Sequence, residues 1–319
     1  MTGVYAGRSG RWVRTDGLLG PTFGAPAGFQ LDTTKPTAEL VGYRGAGVSE
    51  AQLANYAGSL TNVQAGDTLD RLAITGWVNA NASNFTLRES LVLVGPESAP
   101  GTTTPTPALR TWTNGVSGTR FEFVEVAPSH PSVGLYGFHG FDGVLSRVHI
   151  HDATDLAVLF KQNVQVLGCL LERSRWWAVD PRQVDGSHND IMQIEGGTTF
   201  LIRGSALDAG IGPDAARADG DPGANFAILA TQNYAVMNNL HILYNWFDGN
   251  PYSHIQLEEK GKGAMSNVSI TGNRFGQYSR NACIRGSLAT IGAASIAGNT
   301  GPDGLPLAGA QIQATAALP

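Results

Sequence analysis

Short apolar runs recur along the chain, each closing on Gly or Asn: Val166-Leu167-Gly168, Leu201-Ile202-Arg203-Gly204, Ile242-Leu243-Tyr244-Asn245, Ile270-Thr271-Gly272-Asn273 and Ile296-Ala297-Gly298-Asn299. The closing residues follow one another at 36, 41, 28 and 26 positions. These intervals are irregular but always of one-coil size, and the two widest contain loops, including Ala209 to Gly223, rich in Gly, Asp, Ala and Pro. Repetition of this kind signals a solenoid, in which each repeat buries its apolar side only against its neighbours. The closing residues suit the geometry. Gly and Asn accept the left-handed backbone of a sharp corner, and stacked Asn side chains can form ladders along an axis.

A second apolar run precedes each ending: Leu156–Phe160, Ile191–Ile194, Phe226–Ala230, His254–Leu257 and Ala282–Arg285. Each coil therefore carries at least two strands, and successive coils pair in parallel. A β-sandwich would show tight two-residue hairpin turns at short spacing, and these are scarce. Helical spacing is nearly confined to Glu50–Leu60, which predicts a short cap or linker helix, since solenoid ends need covers. Leu69–Val94 holds two further runs around Ala82-Ser83-Asn84, read as the first coils. The predicted organisation is an N-terminal extension over 1–36, a linker and helical cap over 37–68, an all-β parallel solenoid over 69–300 and a C-terminal tail over 301–319, packed along or trailing from the last coil.

Composition narrows the function classes. The chain has 319 residues with 41 Gly, 15% charged residues and a formal net charge of −5. Low charge with abundant turn formers suits a β-rich chain, and an acidic balance without a Lys/Arg cluster argues against nucleic acid as partner. No stretch of about 18 apolar residues predicts membrane insertion. The opening MTGVYAGRSGRWVRTD lacks an apolar run and a cleavage site, and so does not read as a secretory signal. Cys169 and Cys283 sit in apolar runs and read as buried free thiols, with a disulfide left open.

The block Asp185-Gly186-Ser187-His188-Asn189-Asp190-Ile191-Met192-Gln193-Ile194 with Gly196-Gly197 resembles the signature of right-handed parallel β-helix proteins of the pectate-lyase-like group, found in actinobacteria and in minor tail proteins of their phages. Leu69–Val94 is similar to the first coils of the same proteins, so the likeness spans roughly Leu69 to Asn299. The segment Gly3-Val4-Tyr5-Ala6-Gly7 with Trp12-Val13-Arg14 resembles Trp-Val segments near the starts of phage tail proteins. The resemblance implies a right-handed β-helix, a place in the virion tail among other tail proteins, a host cell-surface polysaccharide as partner and a homo-oligomer, a trimer if it is a tail component. An extracellular polysaccharide lyase or glycoside hydrolase is the alternative.

Alternation along the strands sorts the candidate chemistry. If Met192 and Ile194 point inward, then Ile191, Gln193 and Glu195 point outward. Aligning the next coils sets Leu229 and Thr231, then Gln256 and Glu258, beside Gln193 and Glu195. Glu195 and Glu258 then lie about twice the ~4.8 Å strand spacing apart, a separation suited to an inverting hydrolase; an exposed charged rim is the commoner reading. His188 and Asp190, with Asp185, offer acid/base or cation-binding groups, against a structural role as corner caps, the favoured reading. Gln193, His254, Gln256 and Arg285 are candidate substrate contacts, and Trp177 can stack on a sugar. No metal or cofactor is called for. Ca²⁺ alone is left open by Asp208, Asp214, Asp219 and Asp221.

Overall fold

The computed structural model describes residues 5–8, 11–14, 29–94, 106–184, 186–210, 224–277 and 279–315. The chain is nearly all-β and dominated by long parallel sheets, an arrangement compatible with a parallel β-solenoid. Each turn of chain contributes strands to three ladders. The first ladder includes Thr106–Thr111, Leu135–Gly140, the start of Ala157–Leu167, the start of Met192–Arg203, Phe226–Thr231, Ser253–Glu258 and Ala282–Ser287. The second runs through the later halves of the two long strands to Met237–Leu243, Ser266–Thr271 and Ser295–Ala297. The third stacks Glu125–Val126, His149–His151, Leu170–Glu172, Ala206–Asp208, Trp246–Asp248 and Arg274–Phe275.

Alternation places every second residue in one continuous core. In the first ladder Phe138, Ala157, Met192, Ile228, Ile255 and Ile284 are register partners, and all are buried. Each large side chain so buried contributes about 1.5–3 kcal/mol. The N-terminal strands Tyr5–Arg8 and Arg11–Arg14 form a separate antiparallel pair. Among the described residues no helix is long and apolar enough to cross a membrane. Cys169 and Cys283 are buried free thiols.

The corners carry their own columns. Arg71, Glu89, Phe123, Arg147, Gly168, Gly204, Tyr244, Gly272 and Gly298 occupy equivalent positions after the second ladder, and every one has a positive φ. The next residue inward begins a side-chain stack. Cys169 N–H donates to Ser205 Oγ, Ser205 N–H to Asn245 Oδ1, Asn245 N–H to Asn273 Oδ1 and Asn273 N–H to Asn299 Oδ1, at 2.9–3.1 Å. The sequence separations along this stack are 36, 40, 28 and 26. The second differs by one from the run spacing because Gly204 aligns with Tyr244, not Asn245. The second ladder starts at another left-handed corner, where Asn163, Thr199, Asn239 and Asn267 align.

Two expectations are corrected. Glu50–Leu60 forms no helix: Glu50–Gln52 makes one 3-10 turn under a Ser49–Gln52 capping box, and Ala54–Tyr56 becomes a strand paired with Leu72–Ile74. Pairing each backbone group with the next coil outweighs a short helix whose first turn is costly to nucleate. Coil structure accordingly begins before residue 69. The tail adds a strand, Ile312–Thr315, in parallel with Ala282–Ser287.

Residues 29–49 form a strap along the third ladder. Arg203 pairs with Asp32 and Lys35 with Asp248, while Arg147 stacks on Phe29 and donates to the Leu40 carbonyl. Val41 packs with Leu170 and Ala206. The strap covers polar and apolar outer positions that would otherwise face water.

Candidate functional site

The outer side of the first ladder carries the column Arg110, His139, Val158, Gln193, Leu229, Gln256, Arg285 and Gln313. Beside it the segment between Leu170–Glu172 and Met192–Arg203 folds back over the sheet. Asp180 and Gln183 form an antiparallel bridge. Arg182 is clamped by Asp180 at 2.8 Å and donates to the Val133 carbonyl at 3.0 Å and to the Tyr136 hydroxyl at 3.3 Å. Between this wall and the sheet lies a cleft of about 330 Å³ lined by Tyr136, Asp155, Asp180, Arg182, His188 and Gln193.

Two carboxyls stack one coil apart at the cleft's edge. Asp155 Oδ1 accepts the Asp190 N–H at 2.8 Å, and Asp190 Oδ1 accepts the Phe226 N–H at 3.0 Å. Asp190 Oδ2 accepts from Gln193 Nε2 at 2.8 Å. Burial pushes the Asp155 carboxyl up to about 7, against the lowering effect of the Asp190 N–H and Tyr136. Burial, followed by the neighbouring Asp155, raises Asp190 well above the ordinary carboxylate range. Burial together with a neighbouring carboxyl disfavours two negative charges in this corner. Burial also raises the Tyr136 phenol, which keeps its proton.

Next along the sheet, Glu195 is raised by burial, opposed by its 2.6 Å bond from Asn233 and reinforced by the charge of Glu258. Glu258 pairs with Lys260 at 2.9 Å. Toward the other end, His139 sits among Trp112 at 4.9 Å, Phe160 at 4.9 Å and Tyr136 at 6.2 Å between ring centroids. Arg110 lies over the Trp77 and Trp112 rings. Burial lowers His139 to about 4, so its ring is neutral at neutral pH and Arg110 supplies the positive charge of the strip. Trp112 is exposed, and a flat ring beside polar donors is a surface on which a sugar face can stack.

Gln193 and His188 line the cleft, whereas Asp190 is buried, bonded to Gln193 and to the backbone of the next coil, and does not line it. Thr231 pairs with Glu258 and Gln256 with Arg285, but Gln256 is 2% exposed and so is corrected from a surface contact to a buried side chain. Trp177 is half-buried on the folded-back segment, its indole N–H donating to Thr154 Oγ1 at 3.1 Å. His254 is a correction. It is fully buried between Phe247 and Phe275, where burial lowers it to about 4. Ile191 is likewise inside the core, not outside. Both align with Leu156, Ala227 and Cys283 at the start of the first ladder, where the bending backbone turns successive residues inward. Asp185, Asp214, Asp219 and Asp221 lie outside the described residues.

Sequence reading missed Trp112, Tyr136, His139, Asp155 and Arg182. The coils of Trp112, Tyr136 and His139 close on Phe123 and Arg147, which adopt the left-handed corner without being Gly or Asn, so the repeat is masked there; Asp155 and Arg182 lie in segments between strands, where strand alternation gives no facing. Among the described residues one group is arranged to hold a metal ion, Glu125 with His149 and His151, and it lies on the third ladder, away from the cleft. No protein family, no curated protein and no solved structure matches this chain.

Proposed function

We propose that this chain is a right-handed parallel β-helix of the pectate-lyase-like group that binds an elongated host cell-surface glycan along the outer face of its first ladder, as a minor tail protein of a phage virion. The observation that carries the glycan reading is the continuity of one face: the aromatic strip of Trp112 and His139 runs into the polar cleft of Tyr136, Asp155, Arg182 and Gln193. Flat rings and directional donors at coil-sized intervals suit a long polymer of repeating sugars better than a compact ligand. The virion role and a trimeric state rest on the resemblance of the Asp185–Gly197 block and of the N-terminal Trp12-Val13-Arg14 segment.

The test is a binding titration of purified protein with host cell-wall polysaccharide, comparing wild type with Trp112→Ala and Arg182→Ala. Loss of affinity in both variants at unchanged thermal stability supports the reading; equal affinity in all three overturns it. Absence of the chain from purified virions would remove the tail assignment while leaving glycan binding intact.

A second reading, hydrolysis or lyase cleavage of the bound polymer, is favoured by one observation. Asp155 faces the cleft with a carboxyl held up to about 7, suited to donating a proton near neutrality. New reducing ends or unsaturated products that disappear in Asp155→Asn would support it. Binding without product, unaffected by Glu195→Gln or Glu258→Gln, would leave a binding protein only.

A further inference from the structure

The third ladder holds a constellation that the glycan face does not use. His149, Ile150 and His151 form one strand, and Ile150 points into the core. Alternation therefore sets both imidazoles on the outer side. Glu125 is the register partner of His149 on the preceding coil. Each of the three offers one ligand atom, all within 4.8 Å of one another, and all three side chains are buried. The strap passes directly above. Gly42, with φ +62, comes so close that a Cβ there would lie 3.2 Å from Glu125 Oε2 and 3.4 Å from His149 Cβ.

Each ring has one nitrogen beside an outer carboxylate. His149 Nε2 lies 3.0 Å from Glu172 Oε1, while its Nδ1 is buried with no hydrogen-bond partner. His151 Nδ1 lies 2.7 Å from Asp152 Oδ2, while its Nε2 lies 3.4 Å from Glu125 Oε1. A neutral imidazole has one N–H; given to the outer carboxylate, it leaves a lone pair on the other nitrogen. For His149 that lone pair is orphaned in a buried place. For His151 the Nδ1 also lies 2.6 Å from an Arg173 nitrogen, so the metal-free ring can hold its proton on Nε2 toward Glu125 and releases it when an ion takes that place. An outer carboxylate that fixes the tautomer of a ligating histidine is the common second layer of metal sites. The 3.4 Å separation also approaches the roughly 3.3 Å edge of a tetrahedron with metal–ligand bonds of about 2.0–2.2 Å.

The neighbouring cations leave room for this. Arg44 on the strap binds Glu125 through Oε2, leaving Oε1 free to ligate. Arg173 holds Asp152 at 2.7 Å and lies 2.6 Å from His151 Nδ1. The metal-free alternative is a proton on His151 bridging Asp152 and Glu125, favoured by both carboxylates and opposed by Arg173; an ion must displace that proton to bind.

We propose that Glu125, His149 and His151 bind one divalent transition-metal ion of the zinc class, with the fourth position taken by water, and that the ion fastens the strap to the third ladder. Nitrogen ligands select such ions over Ca²⁺ and Mg²⁺, which take oxygen ligands. Because the strap's Arg44 shares Glu125 with the metal, binding and strap docking reinforce each other.

The experiment uses the full chain, stripped with a chelator and titrated calorimetrically with zinc chloride, calcium chloride or magnesium chloride alone. One zinc per chain is expected, with no uptake of the other two. His149→Ala or His151→Ala should lower zinc affinity by more than the roughly 10–100-fold that loss of an outer-layer partner costs, and the exposed His130→Ala should not change it. Zinc should also slow amide exchange across Gly42–Gly45. Should either histidine variant fail to fold, the wild-type chain loaded with cobalt decides: the absorption of a nitrogen-ligated tetrahedral ion supports the site. Only the spectrum of the hydrated ion, or no zinc uptake by the stripped chain, overturns it. The glycan titration is read on another face, so failure of either proposal leaves the other standing.

Discussion

Asn273 Oδ1 lies 2.9 Å from the backbone nitrogen of Asn245 and 3.0 Å from its side-chain nitrogen. The same relation is repeated one coil later between Asn299 and Asn273. Asn273 Nδ2 also donates to the Ile242 carbonyl at 2.9 Å, so one buried amide satisfies backbone groups of the coil before it. Asn273→Ala strands the Asn245 N–H and the Ile242 carbonyl in the interior, at about 1–3 kcal/mol for each group. A loss near 3 kcal/mol, or roughly 5–10 °C in Tm, is expected by differential scanning calorimetry. A change within a degree or so would show that water replaces the amide at that corner.

Gly204 and Gly298 share a corner column and nearly the same φ, +61 and +63. A Cβ at Gly298 meets nothing nearer than 3.8 Å, whereas one at Gly204 would lie 1.9 Å from the Leu31 carbonyl oxygen of the strap. Gly298→Ala should therefore cost only the left-handed strain, about 1–2 kcal/mol. Gly204→Ala should cost clearly more and raise amide exchange in the strap. Equal losses of stability in the two variants would mean that strap packing contributes little.

The Asp155 carboxyl titrates at about 7 in the fold, above its ordinary 3.8. Its proton is held more tightly in the folded chain, so the contribution to stability is complete below the ordinary carboxylate pKa and fades as pH rises through about 7. Asp155→Asn keeps an acceptor for the Asp190 N–H and removes the titration. The variant should be more stable than wild type at about pH 8, with the difference shrinking by about pH 5. Thermal melts at the two pH values check this, and a gap independent of pH would contradict it.

Trp112 is exposed at the end of the aromatic strip, beside His139 and Arg110. Removing its ring should cost glycan binding about 1 kcal/mol of stacking, roughly a fivefold loss of affinity. Its exposure limits the effect on Tm to a degree or two. Titration and melting of Trp112→Ala separate the two effects.

The reach of sequence reading follows from periodicity. Runs closing on Gly168, Gly204, Asn245, Asn273 and Asn299 were legible because left-handed corners and amide stacks demand those residues. The alternation of Gln193 with Glu195 and of Gln256 with Glu258 on the side away from the core was legible because strand side chains alternate, but the burial of Gln256 on that side was not. Upstream, Phe123 and Arg147 hold the same corner under protection of the strap: Arg147 is sandwiched between Phe29 and Phe123 and bonded to Leu40. Nothing local marks those corners.

By itself, then, the sequence determined that the chain is β-rich and repetitive, that its coils pair in parallel, and which side of the later strands faces away from the core. These are properties of neighbouring residues and of one repeat against the next. Only the tertiary structure decided that His254 belongs to the core, that Tyr136, Asp155 and Arg182 close around one cleft, and that Glu125 meets His149 and His151 beneath Gly42. The reason is physical. Where a corner bends the backbone, the two-residue alternation lapses, and contacts between coils of unequal length or with a returning strap depend on three-dimensional stacking that no local pattern records.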